Sequence, residues 1–283
     1  TLQVNGIYTS NGTGYVVTNN AISNLSNTST SSTASIYGVY ANGTASVNYD
    51  TLSTFSHSGG GNIYGIGLFI SSCTANGNVI SGLSSNTAFI DGISLQSNSQ
   101  TANNNIISGI SSTTGASYGI DVYSVSSATA NNNNISGLTS GNSAVGIWCY
   151  AASTVNFTAD TIRNISQTAT GGIHSEGMYL VPYTTGATYT LYKNVIDNVT
   201  NSGTSVTAIA GGIRCAAAGT YNVVNNFVSK INADASTTTS GGVRGISTEQ
   251  GTLRAFYNTV YLTGTATGTG HTSGALFISG ASG

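Results

Sequence analysis

The sequence predicts an all-β fold, a right-handed parallel β-helix (solenoid) of about nine to ten coils, and three recurring features predict it. A glycine that opens a short apolar run returns every 27 to 35 residues. An apolar residue follows the first nine of these ten glycines by about 15 residues, and an Asn or Asp precedes that apolar residue by two positions. Because three registers persist over nine repeats, we expect a single solenoid domain over residues 1–283.

Each coil is expected to begin at a glycine followed by β-branched residues. The glycines of this register are Gly6, Gly38, Gly65, Gly92, Gly119, Gly146, Gly177, Gly212, Gly245 and Gly274. The apolar residues of the second register are Ile22, Leu52, Ile80, Ile107, Ile135, Ile162, Ile196, Val228 and Val260. Apolar runs are short and bounded by Gly, Asn and Ser, and Glu, Lys and Arg are rare, which favours strands over a helical repeat.

The third register is a column of Asn and Asp, and we expect it to form a structural ladder at a bend between two strands. Its members are Asn20, Asp50, Asn78, Asn105, Asn133, Asp160, Asn194, Asn226 and Asn258. These residue types tolerate left-handed backbone and bond to neighbouring backbone, and stacked amides can bond from coil to coil. We therefore predict left-handed backbone at these residues and bonded side chains along the column.

The composition allows a second interpretation, a disordered low-complexity chain rich in Ser, Thr, Gly and Asn. Hydrophobic residues nevertheless make up 39% of the chain, and a disordered chain has no reason to keep three registers. The net charge is −2 and no apolar run approaches the roughly 20 residues of a membrane span. We therefore expect a folded rod, with neither nucleic acid nor membrane insertion among its partners.

The repeat "GI…NxISGL" resembles that of right-handed parallel β-helix proteins, and this resemblance covers nearly the whole chain. The segment "YNTVYLTGTATGTGHTSGALFISG", residues 257–280, is similar to repeats of large secreted β-strand-repeat surface proteins of Bacteroidota and related phyla, exported by the type IX system. That resemblance implies an extracellular or cell-surface location. Three cysteines that cannot all pair argue mildly against export.

Many right-handed β-helix proteins cleave polysaccharides, so pairs of acidic residues were considered as catalytic candidates. Asp121 and Glu176 would lie two coils apart, roughly 10 Å, just beyond the window of about 6.5–9.5 Å for inverting hydrolysis. Arg214 and Glu249 are expected to pair with each other, as are Arg163 and Asp197. We predict no catalytic residues and no enzymatic activity.

No motif for a cofactor or metal is found. His57, His174 and His271 lack the spacing of metal ligands, and the glycine-rich stretches lack the lysine of a phosphate loop. Cys149 and Cys215 fall at inward positions two coils apart, beyond the reach of a disulfide. We expect no cofactor and no bound metal, and we interpret these two cysteines as buried hydrophobic residues.

Aromatic residues recur at outward positions of the first strand of each coil. Among them Tyr123, Trp148, Tyr150 and Tyr179 are the candidates for contact with a glycan or with a neighbouring rod. This aromatic face motivates the alternative function, a carbohydrate-binding or polysaccharide-cleaving β-helix. A third hypothesis, ice binding, needs a regular array of Thr, and we do not expect Thr to recur at a fixed register.

The function that we expect is that of an extracellular structural scaffold. Neither end of the sequence shows a capping unit, and the chain is expected to be a mature product or an excerpt of a longer protein. Uncapped coils about 4.8 Å apart would make a rod about 45 Å long with bare strand edges. We therefore predict head-to-tail stacking with further coils, from another copy or a longer chain, into a surface fibre or adhesin stalk.

Overall fold

The computed structural model describes residues 3–150, 152–171, 173–183, 186–204, 208–233, 242–263 and 273–279. These residues form strands, turns and bends, and none of them lies in a helix long and apolar enough to cross a membrane. The strands pair in parallel, each with the equivalent strand of the next coil, which confirms the predicted all-β solenoid.

The strands fall into three rows that run along the solenoid axis. The first row consists of β1 (Val4–Thr18), β4 (Ile36–Asn48), β6 (Ile63–Leu68), β9 (Ile90–Gln96), β12 (Ser117–Tyr123), β15 (Ser143–Tyr150), β18 (His174–Val181), β21 (Ile209–Cys215), β24 (Val243–Thr248) and β27 (Ser273–Ile278). The second row consists of the later parts of β1 and β4 with β7 (Thr74–Asn76), β10 (Ser99–Asn103), β13 (Ser127–Asn131), β16 (Thr154–Thr158), β19 (Thr188–Tyr192), β22 (Thr220–Val224) and β25 (Thr252–Phe256).

The third row forms a sheet of its own. It consists of β2 (Ala21–Ser23), β5 (Thr51–His57), β8 (Val79–Ser85), β11 (Ile106–Ser112), β14 (Asn134–Ser140), β17 (Thr161–Gln167), β20 (Val195–Asn201), β23 (Phe227–Asn232) and β26 (Thr259–Tyr261), with the short β3 (Ser26–Asn27) beside β5. Eight parallel pairings join β2 to β26, so the described chain makes about eight turns, slightly fewer than the nine to ten coils expected. The sequence count is higher because every glycine marks the start of a coil, whereas a turn is complete only when the chain returns to the same row.

The recurring glycine is explained by a lack of space inside the coil. A Cβ atom on Gly119 would lie 2.5 Å from Cγ2 of Ile135 and 2.6 Å from the carbonyl oxygen of Gly146. The same two collisions, with the apolar residue of the third row and with the next glycine of the column, recur at Gly92 and Gly146. The glycine register and the apolar register of the sequence therefore correspond to the two partners of one contact, between a glycine of the first row and an apolar side chain of the third row.

The interior is a continuous column of apolar side chains. Ile107 and Ile135 face each other in register on adjacent coils, and both are fully buried, as predicted. Cys149 and Cys215 are also buried and are free thiols, and burial raises the pKa of both. Each coil therefore buries its apolar side chains against the coils before and after it, which is how a solenoid obtains a core.

The bend before the third row does not use left-handed backbone at the Asn/Asp column, and that expectation was wrong. The left-handed residue is the one before it in each coil: Asn19, Tyr49, Gly77, Asn104, Asn132, Ala159, Lys193, Asn225 and Tyr257. A second left-handed column lies inside the third row: Asn24, Thr54, Gly82, Gly109, Gly137, Asn164, Asn198 and Lys230. Because Tyr, Ala and Lys occupy the first of these columns, the bend itself does not select Asn.

Candidate functional site

The Asn/Asp ladder is present at the bend between the second and third rows. The backbone N–H and Nδ2 of Asn105 both donate to Oδ1 of Asn133, at 3.0 and 2.9 Å. Nδ2 of Asn105 also donates to the carbonyl oxygen of Ala75 in the preceding coil, at 3.0 Å. All nine predicted residues take part in this chain of bonds: Asn20, Asp50, Asn78, Asn105, Asn133, Asp160, Asn194, Asn226 and Asn258.

Asp160 is a fully buried member of the ladder that lacks an amide. Its Oδ1 accepts two hydrogen bonds from Asn133, both of 2.8 Å, but its buried Oδ2 has no partner in the described chain. Asparagine would place a donor there, and burial raises the pKa of Asp160 to about 7. A protonated Asp160 would supply the missing donor.

A second column of buried polar side chains, which the sequence pattern did not predict, ends the third row. Its members are Asn27, His57, Ser85, Ser112, Ser140, Gln167 and Asn201. Oγ of Ser112 accepts a hydrogen bond from Gly115 N at 3.0 Å and donates to Ala88 O at 2.8 Å. His57 uses both ring nitrogens in the same way. These side chains join the loop of one coil to the loop of the coil before it.

The outward aromatic residues of the first row stack on one another along the axis. The rings of Tyr8 and Tyr40 lie 5.0 Å apart, and Tyr40 and Phe69 follow at 4.8 Å. Tyr123 and Tyr150 form a second stack, with centroids 5.4 Å apart and planes at 10°. Stacked rings cover each other's faces, so these side chains pack the outer surface of the sheet.

The four predicted aromatic contact residues therefore share one surface but differ in access. Tyr123 is 44% exposed, whereas the other three are half-buried. The ring of Trp148 packs against Tyr118 at 4.6 Å, and the Arg214 guanidinium lies 4.6 Å from the ring centroid of Tyr179. Because these rings already have partners, their arrangement favours packing over glycan stacking, and glycan contact stays a prediction.

Asp91 and Asp121 form a buried pair of carboxyl groups on this face. They lie on adjacent coils, are 5% and 7% exposed and interact electrostatically with each other, and Oδ1 of Asp121 is buried without a hydrogen-bond partner in the described chain. Burial raises the pKa of both groups, that of Asp121 to about 7. Two neighbouring carboxyl groups in a buried site resist ionising together, so the arrangement favours a proton on the pair. Asp91 directly precedes the register glycine Gly92, and Asp121 follows the register glycine Gly119 by two residues. These positions next to the glycine column were the signal in the sequence that both carboxyl groups lie on the outer face of the first row.

A network of charged side chains lies further along the same face. Arg214 contacts Glu176 at 2.9 Å and Glu249 at 2.8 Å, and Arg244 contacts Glu249 at 2.6 Å. Burial alone would lower the pKa of Arg214, but its contacts with these carboxylates raise it. Burial lowers the pKa of His174, which lies 3.7 Å from Glu176. The predicted Arg214–Glu249 pair is therefore confirmed.

The predicted pair of Arg163 and Asp197 was wrong. The two residues do share a register on adjacent coils. Asp197 instead accepts a hydrogen bond from Ser229 at 2.6 Å and contacts Nζ of Lys230 at 3.3 Å. Lys230 has left-handed backbone, and it brings its amine to Asp197 from the next coil, so the carboxylate is occupied from that side.

The outer side of the second row carries columns of Ser, Thr and Asn, so the expectation that Thr does not recur at a fixed register was wrong. One column in register is Thr74, Thr101, Thr129, Asn156, Thr190 and Asn222. A neighbouring column is Ser99, Ser127, Thr154, Thr188, Thr220 and Thr252. Both columns mix residue types, and the array lacks the uniformity that the ice-binding hypothesis requires.

The acidic residues of the first row are not arranged as a hydrolytic pair. Asp91 and Asp121 lie on adjacent coils and are almost fully buried, whereas glycoside hydrolysis needs two carboxyl groups that both reach the substrate. Glu176, the other residue considered, is fully buried and bound to Arg214. The arrangement can hold a proton and neutralise buried charge.

Comparisons of the chain with models of protein families, with curated proteins and with solved structures give no match. The predicted β-solenoid therefore rests on the structure itself. The resemblance to secreted surface repeats of Bacteroidota has no support beyond the residues that suggested it.

Proposed function

We propose that this protein is a non-catalytic structural scaffold outside the cell, in which β-solenoid coils continue end to end into a fibre or stalk. The observation that carries the proposal is the contrast between the sealed interior of the central coils and the open interior of the two end coils. The proposed partner at each end is another copy of the same solenoid in head-to-tail orientation, and the proposal includes no cofactor.

The first coil exposes part of its interior. Ile22 and Leu25 are half-buried, whereas their register partners on the following coil, Leu52 and Phe55, are fully buried. Ile7 is likewise only half-buried although its partner in β4 has no exposed surface. These side chains lack the coil that covers their equivalents elsewhere, and burying them would favour association.

The last described coils are open in the same way. Leu276 and Ile278 of β27 are 54% and 61% exposed, although they occupy inward positions of the first row. Beside them lies a recess of about 360 Å³ whose walls include Ile246 and Val260. An apolar recess and exposed inward side chains are the features that a further coil would cover.

The ladder has a direction, and this direction favours head-to-tail stacking. Each member donates to the next, so among the described residues Oδ1 of Asn20 has no donor and the backbone N–H of Asn258 has no acceptor. Two like ends would bring acceptors or donors together, whereas unlike ends are complementary. β27 begins a tenth coil, and in a stack this coil would lie between the ninth coil of one copy and the first coil of the next copy.

The test is electron microscopy of the purified protein over a range of concentrations, with two matched variants. Leu276→Asp places a charge in the open end of the interior and should prevent filaments. Ile106→Asp places the same charge on an exposed apolar residue at the side of the rod, where end-to-end stacking should continue. Monodisperse rods about 45 Å long at every concentration of the unmodified protein would contradict the proposal.

A further inference from the structure

We propose that Asp91 and Asp121 form a proton-binding site that keeps the outer face of the first row closed, and that the loss of their shared proton opens this face. The site is built across adjacent coils, because β9 and β12 pair in register and bury Asp91 and Asp121 on the same outer face, with Ser94 of β9 opposite Asp121. This role is independent of end-to-end stacking, since the pair lies in the middle of the solenoid.

The pair is surrounded by groups that cannot neutralise a second negative charge. The titratable groups that act on it or on its aromatic cover are Tyr37, Tyr64, Tyr118, Cys149, Glu176 and Tyr179. All of these are neutral or acidic at ordinary pH. Arg214 and Arg244 are the cations of the neighbouring network, and they contact Glu176 and Glu249. In the described chain, the proton is therefore the positive charge available to this site.

Deprotonation would leave two neighbouring buried carboxylates with little access to water. Oδ1 of Asp121 is already buried without a hydrogen-bond partner. Hydrating both groups requires them to separate and water to enter beneath Tyr118, which is 7% exposed and packs on Trp148. The face that should loosen is therefore the part of β9, β12 and β15 that carries these rings.

The direction of the pH dependence follows from the raised pKa of the pair. An ordinary Asp side chain, as in the unfolded chain, has a pKa of 3.8, whereas burial in the folded protein raises the pKa of Asp121 to about 7. Between these two values the folded pair keeps a proton that the unfolded chain has lost. The closed state is therefore favoured at acidic pH and is weakened progressively as the pH rises from about 4 to about 7.

Two measurements test the proposal. Carbon-13 NMR of labelled Asp carboxyl groups, from about pH 4 to about pH 9, should show a carboxyl group at this site that titrates near neutral pH. Hydrogen exchange should show amides of β9 and β12 that speed up with pH beyond the intrinsic dependence. Asp91→Asn replaces the shared proton by an amide donor, so it should remove both signals, and Asp121→Asn should do the same if the first variant fails to fold.

Asp160→Asn is the matched control, because it removes another buried carboxyl group with a pKa near 7 from a different part of the coil. This variant should keep the extra exchange of β9 and β12. The proposal is overturned if the carboxyl groups of Asp91 and Asp121 both titrate near the ordinary Asp value. It is equally overturned if Asp91→Asn keeps the wild-type exchange of these strands.

Discussion

At the scale of the residue, hydrogen-bonding capacity explains the Asn column better than backbone preference does. Asn105 uses both protons of its amide, one for Asn133 and one for Ala75, and its Oδ1 accepts from Asn78. No other small side chain supplies one acceptor and two donors in the same plane. The left-handed position next to it tolerates Tyr49, which shows that the backbone requirement and the side-chain requirement belong to different residues.

Asn105→Leu should lower the free energy of unfolding by about 1–3 kcal/mol, because the N–H of Asn78 and the carbonyl oxygen of Ala75 would lose buried partners. Denaturant unfolding measures the change. The control is Asn134→Leu, at an exposed position one residue beyond the ladder, which should change stability far less. An equal effect of both substitutions would mean that the ladder adds nothing.

Asp160→Asn should raise the free energy of unfolding by about 1–3 kcal/mol at pH 8, because it supplies the missing donor without a buried charge. The raised pKa means that the wild-type fold loses stability between the ordinary Asp value and about pH 7, so the gain should shrink at pH 4. Thermal unfolding at both pH values measures it, with the partly exposed Asp197→Asn as control. A gain that does not depend on pH would contradict a protonated Asp160.

At the scale of the element, the sequence predicts those columns of equivalent positions that are occupied by one residue type or by a few similar types. The glycine column is visible because only Gly fits beside the third row, and the apolar and Asn/Asp columns are visible because each draws on two or three chemically similar residue types. The second polar column stayed hidden because His57, Ser112 and Gln167 share no type, only the ability to bond a loop. The sequence did not predict the proximity of Asp91 and Asp121, because the two residues lie on adjacent coils at different registers and so belong to no common column.

Gly119→Ala should destabilise the protein by about 1–3 kcal/mol or more, because its Cβ would overlap both Ile135 and the backbone oxygen of Gly146. The backbone contact cannot be relieved by a side-chain rotation, so trimming Ile135 to Ala in the same chain should not restore stability. Gly171→Ala is the control, since no atom lies within 4 Å of a Cβ atom there. Thermal melts of the four proteins measure the effect, and a fully stable Gly119→Ala would show that this contact does not select Gly.

At the scale of the whole molecule, charge is scarce and concentrated. Only 5% of residues are charged, yet Asp91, Asp121, Glu176 and Glu249, half of the eight acidic residues, lie on the outer face of the first row or beside it. The outer side of the second row carries columns of Ser, Thr and Asn, and the outer side of the third row also carries the exposed Ile106 and Phe227 and the pair of Asp197 and Lys230. The first row is therefore the side that carries the buried charges, whereas the glycine, apolar and Asn/Asp columns repeat from coil to coil and could be predicted from one repeat.

Because each coil contacts only its neighbours, stability should vary along the rod, and end-to-end stacking should change that variation. Amides of β11 and β14, which have coils on both sides, should exchange with solvent far more slowly than those of β2 and β26, whose inward side chains are half-exposed. Raising the protein concentration should slow the exchange of β2 and β26 and leave β11 and β14 unchanged, since stacking covers only the ends. Hydrogen exchange followed by mass spectrometry measures both effects. Equal protection of all these strands would contradict the coil-by-coil account of stability. If the ends exchange faster but their exchange does not depend on protein concentration, only the stacking proposal is contradicted.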